Sequence, residues 1–379
     1  MEIKYFDNAA TTKVKNEVLK EMFPYFSIQY GNPSSVYSIG RASKRAIEEA
    51  RKRVAQLISA DPNEIYFTGC GSESDNTALK GFCYANKTKG NHIITSKIEH
   101  HAILNTCNTL EKQGFKVTYL DVDECGFIDL QQLTNSITDD TILISIMFAN
   151  NEIGTIEPIE KISKIAKCNN IVLHTDAVQA VGNVPIDVKK MGIDMLSLSG
   201  HKLYGPKGVG ALYAKKGIEF DRFLDGGHQE KGKRSGTENV AGIVGLGKAC
   251  EIAKFNLDKH QQYLSHLRDY FLDKMKDKFP DIKINGDIEK RLPGNANISF
   301  KNIDAVSLLL KLDQYGICAS SGSACNSGSQ EPSHVLVAIG LPSDMANGTL
   351  RVTFGEDNTI KDVDYLINVI QKSINELKI

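Results

Sequence analysis

None of the eight cysteines stands in a C-x-x-C pair, and their scatter over 379 residues fits no zinc spacing. In a reducing compartment most are expected to be free thiols that serve as small core residues. A basic excess is also missing: 45 Lys and Arg face 46 Asp and Glu, a net charge of −1. With no surplus to neutralise phosphates, direct nucleic-acid binding is not expected. The most apolar stretch, "TILISIMFA" (141–149), is too short to span a bilayer and reads as a buried strand. The start, "MEIKYFDNAA", lacks the basic opening and apolar run of a signal peptide, so a cytoplasmic protein without a membrane partner is expected. No repeat or low-complexity segment is present. Two nucleotide motifs fail as well. "GPKGVG" and "GCGSES" do not match G-x-G-x-x-G, and "GIVGLGKA" (242–249) has Ala249 where a P-loop needs Ser or Thr.

What is present is an ordinary globular composition, 41% hydrophobic and 24% charged, on a chain long enough for two domains. Strand patterns at 64–69, 92–96, 116–122, 141–149, 171–175 and 195–199 lie among helical patterns at 13–28, 38–59, 73–86, 100–113, 128–137 and 157–168. This β-α alternation predicts a mostly parallel sheet flanked by helices. A long helical stretch, 238–278, leads to strand patterns at 282–285, 295–300, 316–321 and 350–354, with helices at 304–313, 332–340 and 359–377. The expected organisation is a large α/β domain, 13–258, and a smaller α+β domain, 1–12 with 259–379. In open α/β sheets chemistry gathers at the carboxyl ends of strands, which directs attention to the strand-end loops.

Each of those loops admits a plain reading and a chemical one. Lys202 in "SLSGHKLYGPKG" is either a solvated loop lysine or an amine that condenses with an aldehyde cofactor. Asp176 in "LHTDAVQA" is either a helix cap or a buried carboxylate partnering a protonated pyridine nitrogen; Gln179 could reach the same ligand. In "FTGCGSESDN" the free N–H groups at Gly71 and Ser72 could hold phosphate, or the serines could simply cap a helix. "SKIEHHAIL" offers His100 and His101 for stacking and proton transfer, or as polar helix-start residues. "FANNEIG" offers Asn150 and Asn151 as turn formers or ligand contacts. "RSGTEN" offers Thr237. Arg351, inside an apolar strand, needs a partner: a substrate carboxylate gripped bidentately, or an internal Asp or Glu. Finally, Cys325 lies in "SSGSACNSGS" with no aliphatic neighbour, an odd setting for a packing thiol.

Taken together and in order, "YFDNAATT", "YGNPSS", "GSESDN", "IITSKIEH", "ANNEIG", "SGHKLYGPKG", "QEKGKRSGTENV" and "SSGSAC...EPSHVL" resemble cysteine desulfurases of the NifS/IscS family. The resemblance implies the pyridoxal-phosphate transferase fold of type I, the cofactor pyridoxal 5'-phosphate, and conversion of L-cysteine to L-alanine. By motif, Lys202 resembles the Schiff-base lysine, His100 the histidine stacked on the ring, and Asp176 the pyridine partner. Gln179 and Asn151 match residues near the ring's phenolic oxygen, Asn151 also the substrate. Gly71, Ser72, Ser199 and His201 match the phosphate cradle. Thr237 matches a threonine supplied by a second copy, which implies a homodimer. Arg351 matches the substrate-carboxylate clamp. Cys325, in the loop 320–332, matches the nucleophile that takes the sulfur as a persulfide, its thiol deprotonated with help from His100. The implied acceptors are an iron–sulfur scaffold or a tRNA-thiolating protein. No intrinsic metal is implied, although Cys325 could transiently ligate a cluster. A selenocysteine lyase, an aminotransferase of the same fold, and a non-catalytic sulfur carrier are the alternatives. Two departures stand out: Gly71-Ser72 replaces the usual Ala-Thr, and His228 replaces the third residue of a Gly-Gly-Gly run.

Overall fold

A computed structural model of the chain describes residues 2–321 and 332–377. Twelve strands are assigned among them: β1 (Lys4–Tyr5), β2 (Ile65–Thr68), β3 (His92–Ser96), β4 (Lys116–Leu120), β5 (Thr141–Ser145), β6 (Val172–Asp176), β7 (Met195–Ser199), β8 (Gly210–Ala214), β9 (Lys283–Ile284), β10 (Asn295–Ser299), β11 (Ile317–Cys318) and β12 (Thr349–Thr353). Seven of them form one sheet in the order β2-β8-β7-β6-β5-β3-β4. β3 through β7 pair in parallel, and β8 alone runs against its neighbours β2 and β7. Because every other strand points the same way, the chain leaves β2, β3, β5, β6 and β7 at one edge of the sheet. The strands β3, β5 and β7 are buried throughout, as continuous apolar runs covered on both faces should be.

The helix Val240–Lys278 runs through two apolar cores. Its first turns place Ile243, Leu246, Ala249 and Cys250 against Val54, Leu198 and Leu203 under the large sheet. Its second half places Leu264, Leu267, Phe271 and Met275 in a separate core with Phe6, Ile298, Val352 and Ile370. That second core lies on the small antiparallel sheet β12-β10-β9 and the pair β1-β11. Phe6 therefore packs with the C-terminal residues, and Thr353 N–H donates to Phe6 O at 2.7 Å.

Several expected boundaries shift for local reasons. The helical pattern 13–28 is two helices, Asn16–Met22 and Pro24–Ser27, with Pro24 at the first position of the second, where its missing N–H costs nothing. The pattern 141–149 is a strand only to Ser145; beyond it Met147 and Ala149 line the cavity. The segment 332–340 contains the short helix His334–Ala338, capped by the Ser333 hydroxyl on Val335 N–H. β8 has no counterpart among the expected elements, since a Gly-Pro-rich turn precedes five residues of weak alternation.

Candidate active site

Five strand ends converge on a cavity of about 380 Å³. β2 delivers the turn to Gly71 and Ser72; β3 leads to His100, β5 to Asn151, β6 ends in Asp176, and β7 leads through the tight turn Gly200–Lys202 to Lys202. Arg351 reaches the same cavity from β12 of the small sheet.

Lys202 donates to the carbonyls of Ala9 and Ala10, so the N-terminal segment closes the cavity floor. Gln179 Nε2 also donates to Ala9 O, at 3.0 Å. Asp176 is buried; no helix follows it, and its Oδ1 accepts from Val178 N–H at 2.9 Å. Burial pushes its carboxyl above the ordinary value, opposed by His100, by the Val178 N–H and by the Lys202 ammonium. A cationic ring nitrogen in the cavity would relieve that cost. His100 caps the helix His101–Glu111, its Nδ1 accepting from Ala102 N–H at 3.1 Å. Burial pushes this imidazole down, so the ring is neutral with its proton on Nε2. The expected help in deprotonating a thiol meets a ring whose acceptor nitrogen is already used; His100 offers the cavity an N–H.

The two asparagines separate cleanly. Asn150 is fully buried and builds the turn, accepting from Glu152 N–H at 2.9 Å and Ile153 N–H at 3.0 Å, while Asn151 lines the cavity. Arg351, 2% exposed, takes an internal carboxylate after all: Nη2 donates to Asp7 Oδ1 at 2.9 Å and Nη1 to Asn151 O at 3.1 Å. Its Nε has no hydrogen-bond partner among the described residues.

The phosphate end has matching features. Gly71 and Ser72 open the helix Gly71–Asn76, where first-turn amides have no acceptor earlier in the helix. Ser199 Oγ is buried without a partner among the described residues, a group that an anion would satisfy. His201 Nδ1 lies 3.1 Å from Thr11 Oγ1, and burial pushes its imidazole down to about 4. Gly71 also accounts for one departure: a Cβ there would come within 2.7 Å of Val178 Cγ2. The glycine leaves that space to Val178, a cavity-wall residue. Together, an orphaned hydroxyl, free amides, a buried carboxylate and a lysine fit a phosphorylated pyridoxal.

Thr237 is exposed, outside this cavity, on the loop before the helix Val240–Lys278. That loop is anchored by Arg234, whose Nε donates to Glu73 Oε1 at 2.8 Å, and by Glu230, buried on Arg51 at 2.7 Å and 2.8 Å. His228 is exposed, and nothing in the structure explains its replacement of glycine. Cys325 and most of the loop 320–332 lie outside the described residues. Asp75, Glu152 and His334 also line the cavity but are absent from the residues expected from sequence. Glu152 is pushed up to about 7 by burial, against a bond from Ser333 Oγ at 2.5 Å. All three fall in quoted motifs, Asp75 in "GSESDN", Glu152 in "ANNEIG" and His334 in "EPSHVL", yet none is singled out there.

The family model for aminotransferase class-V matches residues 4–366. Cysteine desulfurase IscS of Clostridium botulinum (strain Hall) is 56% identical over 98% of this chain and 94% of its own length. That of Methanosarcina thermophila is 55% identical over 99% and 92%. Among solved structures, a NifS-like protein aligns with a TM-score of 0.94 at 38% identity, over 99% of this chain and 100% of its own. SspA in complex with cysteine aligns at 0.83 with 40% identity, over 93% and 98%.

Proposed function

Because the chain belongs to the aminotransferase class-V family and is a pyridoxal-phosphate-dependent cysteine desulfurase, we propose how its own residues carry out that reaction. The observation that carries the reading is that Lys202 and Asp176 line one cavity with the helix-start amides of Gly71 and Ser72 and with Ser199, whose hydroxyl has no partner among the described residues. The relative solved with cysteine bound supports the substrate.

Gly71, Ser72, Ser199 and His201 would hold the cofactor phosphate, His100 would contact its ring, and Gln179 and Asn151 would bond near the phenolic oxygen. Asp176 pairs with the ring nitrogen. When bound, the cofactor supplies an electron sink for charge developing at the substrate Cα. Lys202 would hold the cofactor and its Nζ would take the Cα proton; the Ala9 and Ala10 carbonyls orient that amine. Arg351 and Asn151 fix the substrate carboxylate, holding the reacting atoms in register. Neutral His100 presents Nε2–H to the cavity as a donor. The Cys325 thiolate attacks the substrate sulfur and retains it as a persulfide.

The working form is a cytoplasmic homodimer in which Thr237 of a second copy completes the phosphate site. An uncovered apolar stretch supports it: Phe23, Phe26, Ile28 and Tyr30 are each 66–69% exposed. The persulfide passes to an iron–sulfur scaffold or a tRNA-thiolating protein. The test is Lys202→Ala: borohydride should no longer fix the cofactor to the chain. Fixation elsewhere would remove Lys202 from its role. Alanine formation dependent on an added keto acid would indicate transamination instead.

A further inference from the structure

We infer that His334 is a further substrate-binding residue, whose Nδ1 accepts the S–H of the incoming amino acid and so selects for a thiol side chain. The inference rests on the desulfurase reading of this cavity. His334 is the first residue of the helix His334–Ala338, half-buried and part of the cavity wall. Its Nε2 lies 3.0 Å from the carbonyl oxygen of Glu99. A carbonyl only accepts, so the ring proton is on Nε2 and the neutral ring carries its lone pair on Nδ1. Nδ1 has no hydrogen-bond partner among the described residues. Burial pushes the imidazole below its ordinary value, opposed by the Glu99 carbonyl and reinforced by His101 and His100. The His101 ring stands 4.7 Å away, centroid to centroid. The cavity thus holds two neutral imidazoles of opposite polarity: His100 presents a donor, His334 an acceptor.

The neighbours of His334 place the substrate. Its ring packs on His101, beside His100, and binds the carbonyl of Glu99, directly before His100, whereas Lys202 is held on the carbonyls of Ala9 and Ala10. His334 therefore marks the histidine-lined end of the cavity. With the substrate carboxylate on Arg351 and its amine directed to Lys202, the side chain is the group left to reach this end. On L-cysteine that group is S–H, a weak donor that needs an acceptor. A lone pair suits a protonated sulfur and repels an anionic one. Keeping the proton on sulfur also suits the transfer. The attacking thiolate supplies the electron pair of the new S–S bond, the C–S pair stays with carbon, and the S–H bond is carried intact into the persulfide.

The test is His334→Phe, which keeps a planar ring and removes the Nδ1 acceptor; His334→Gln, whose amide can donate to Glu99 O and accept through Oε1, should recover part of the loss. KM for L-cysteine should rise about three- to tenfold, the worth of one net hydrogen bond, with little change in kcat. Binding of L-alanine, read from cofactor absorbance, should not change, since it has no S–H. Equal weakening of both ligands, or of neither, overturns the inference. Independently, nitrogen-15 spectra of the cofactor-free protein should show His334 protonated at Nε2; protonation at Nδ1 overturns it. If the wild type releases no alanine from L-cysteine, the desulfurase reading itself fails, and this is seen before any variant is made.

Discussion

Glu99, directly before His100, should make the protein lose stability as pH rises. Its side chain is wholly buried; Oε1 accepts from Met147 N–H at 2.9 Å and Ser96 Oγ at 2.7 Å, while Oε2 has no partner. Burial dominates and pushes the carboxyl from 4.5 up to about 8, the two bonds opposing it and the Asp176 charge adding to it. A raised carboxyl pKa means the folded chain keeps a proton that the unfolded chain has lost. The group therefore costs nothing below pH 4.5. Between the two values it removes about 1.4 kcal/mol per pH unit, or about 3 kcal/mol by pH 7. Glu99→Gln keeps the acceptor oxygen and removes the ionisation. Urea unfolding of both proteins from pH 4.5 to 8 should show near-equal stability at the acid end and a variant increasingly favoured above it. A difference that does not change with pH would refute the reasoning, as would a wild type that gains on the variant as pH rises.

Gly71→Ala should weaken cofactor binding about tenfold, because its Cβ meets Val178 at 2.7 Å, and Val178→Ala should restore it; equilibrium dialysis of the cofactor checks both. Glu230→Gln leaves the buried Arg51 guanidinium with only the half-exposed Glu48 as a charged partner and should cost about 3 kcal/mol in thermal unfolding, loosening the loop that carries Thr237.

Much of the sheet was legible because its central strands are short apolar runs, as at 92–96 and 195–199, bounded by polar or glycine-rich turns. Their parallel order then sends Lys202, Asp176, His100 and Gly71 to one edge, where they line one cavity. Long-range contacts were not legible. Asp7 meets Arg351 across 344 positions of the chain, and Ala9 closes on Lys202 across 193. Nor does local pattern tell Asn150 from Asn151, since only the fold buries one side chain in the turn and leaves the other in the cavity. His334 was hidden for a similar reason, its tautomer being set by the carbonyl of Glu99, 235 residues earlier.

The central claim is that sulfur leaves L-cysteine onto one cysteine of this chain. The most direct measurement is mass spectrometry of the cofactor-loaded protein after a brief exposure to L-cysteine, with alanine quantified in the same sample. The account predicts one additional sulfur on the peptide containing Cys325, alanine in step with it, and loss of both sustained alanine release and the persulfide in Cys325→Ala, with cofactor binding intact. Undiminished alanine turnover in that variant, or a persulfide on another of the eight cysteines, would contradict it.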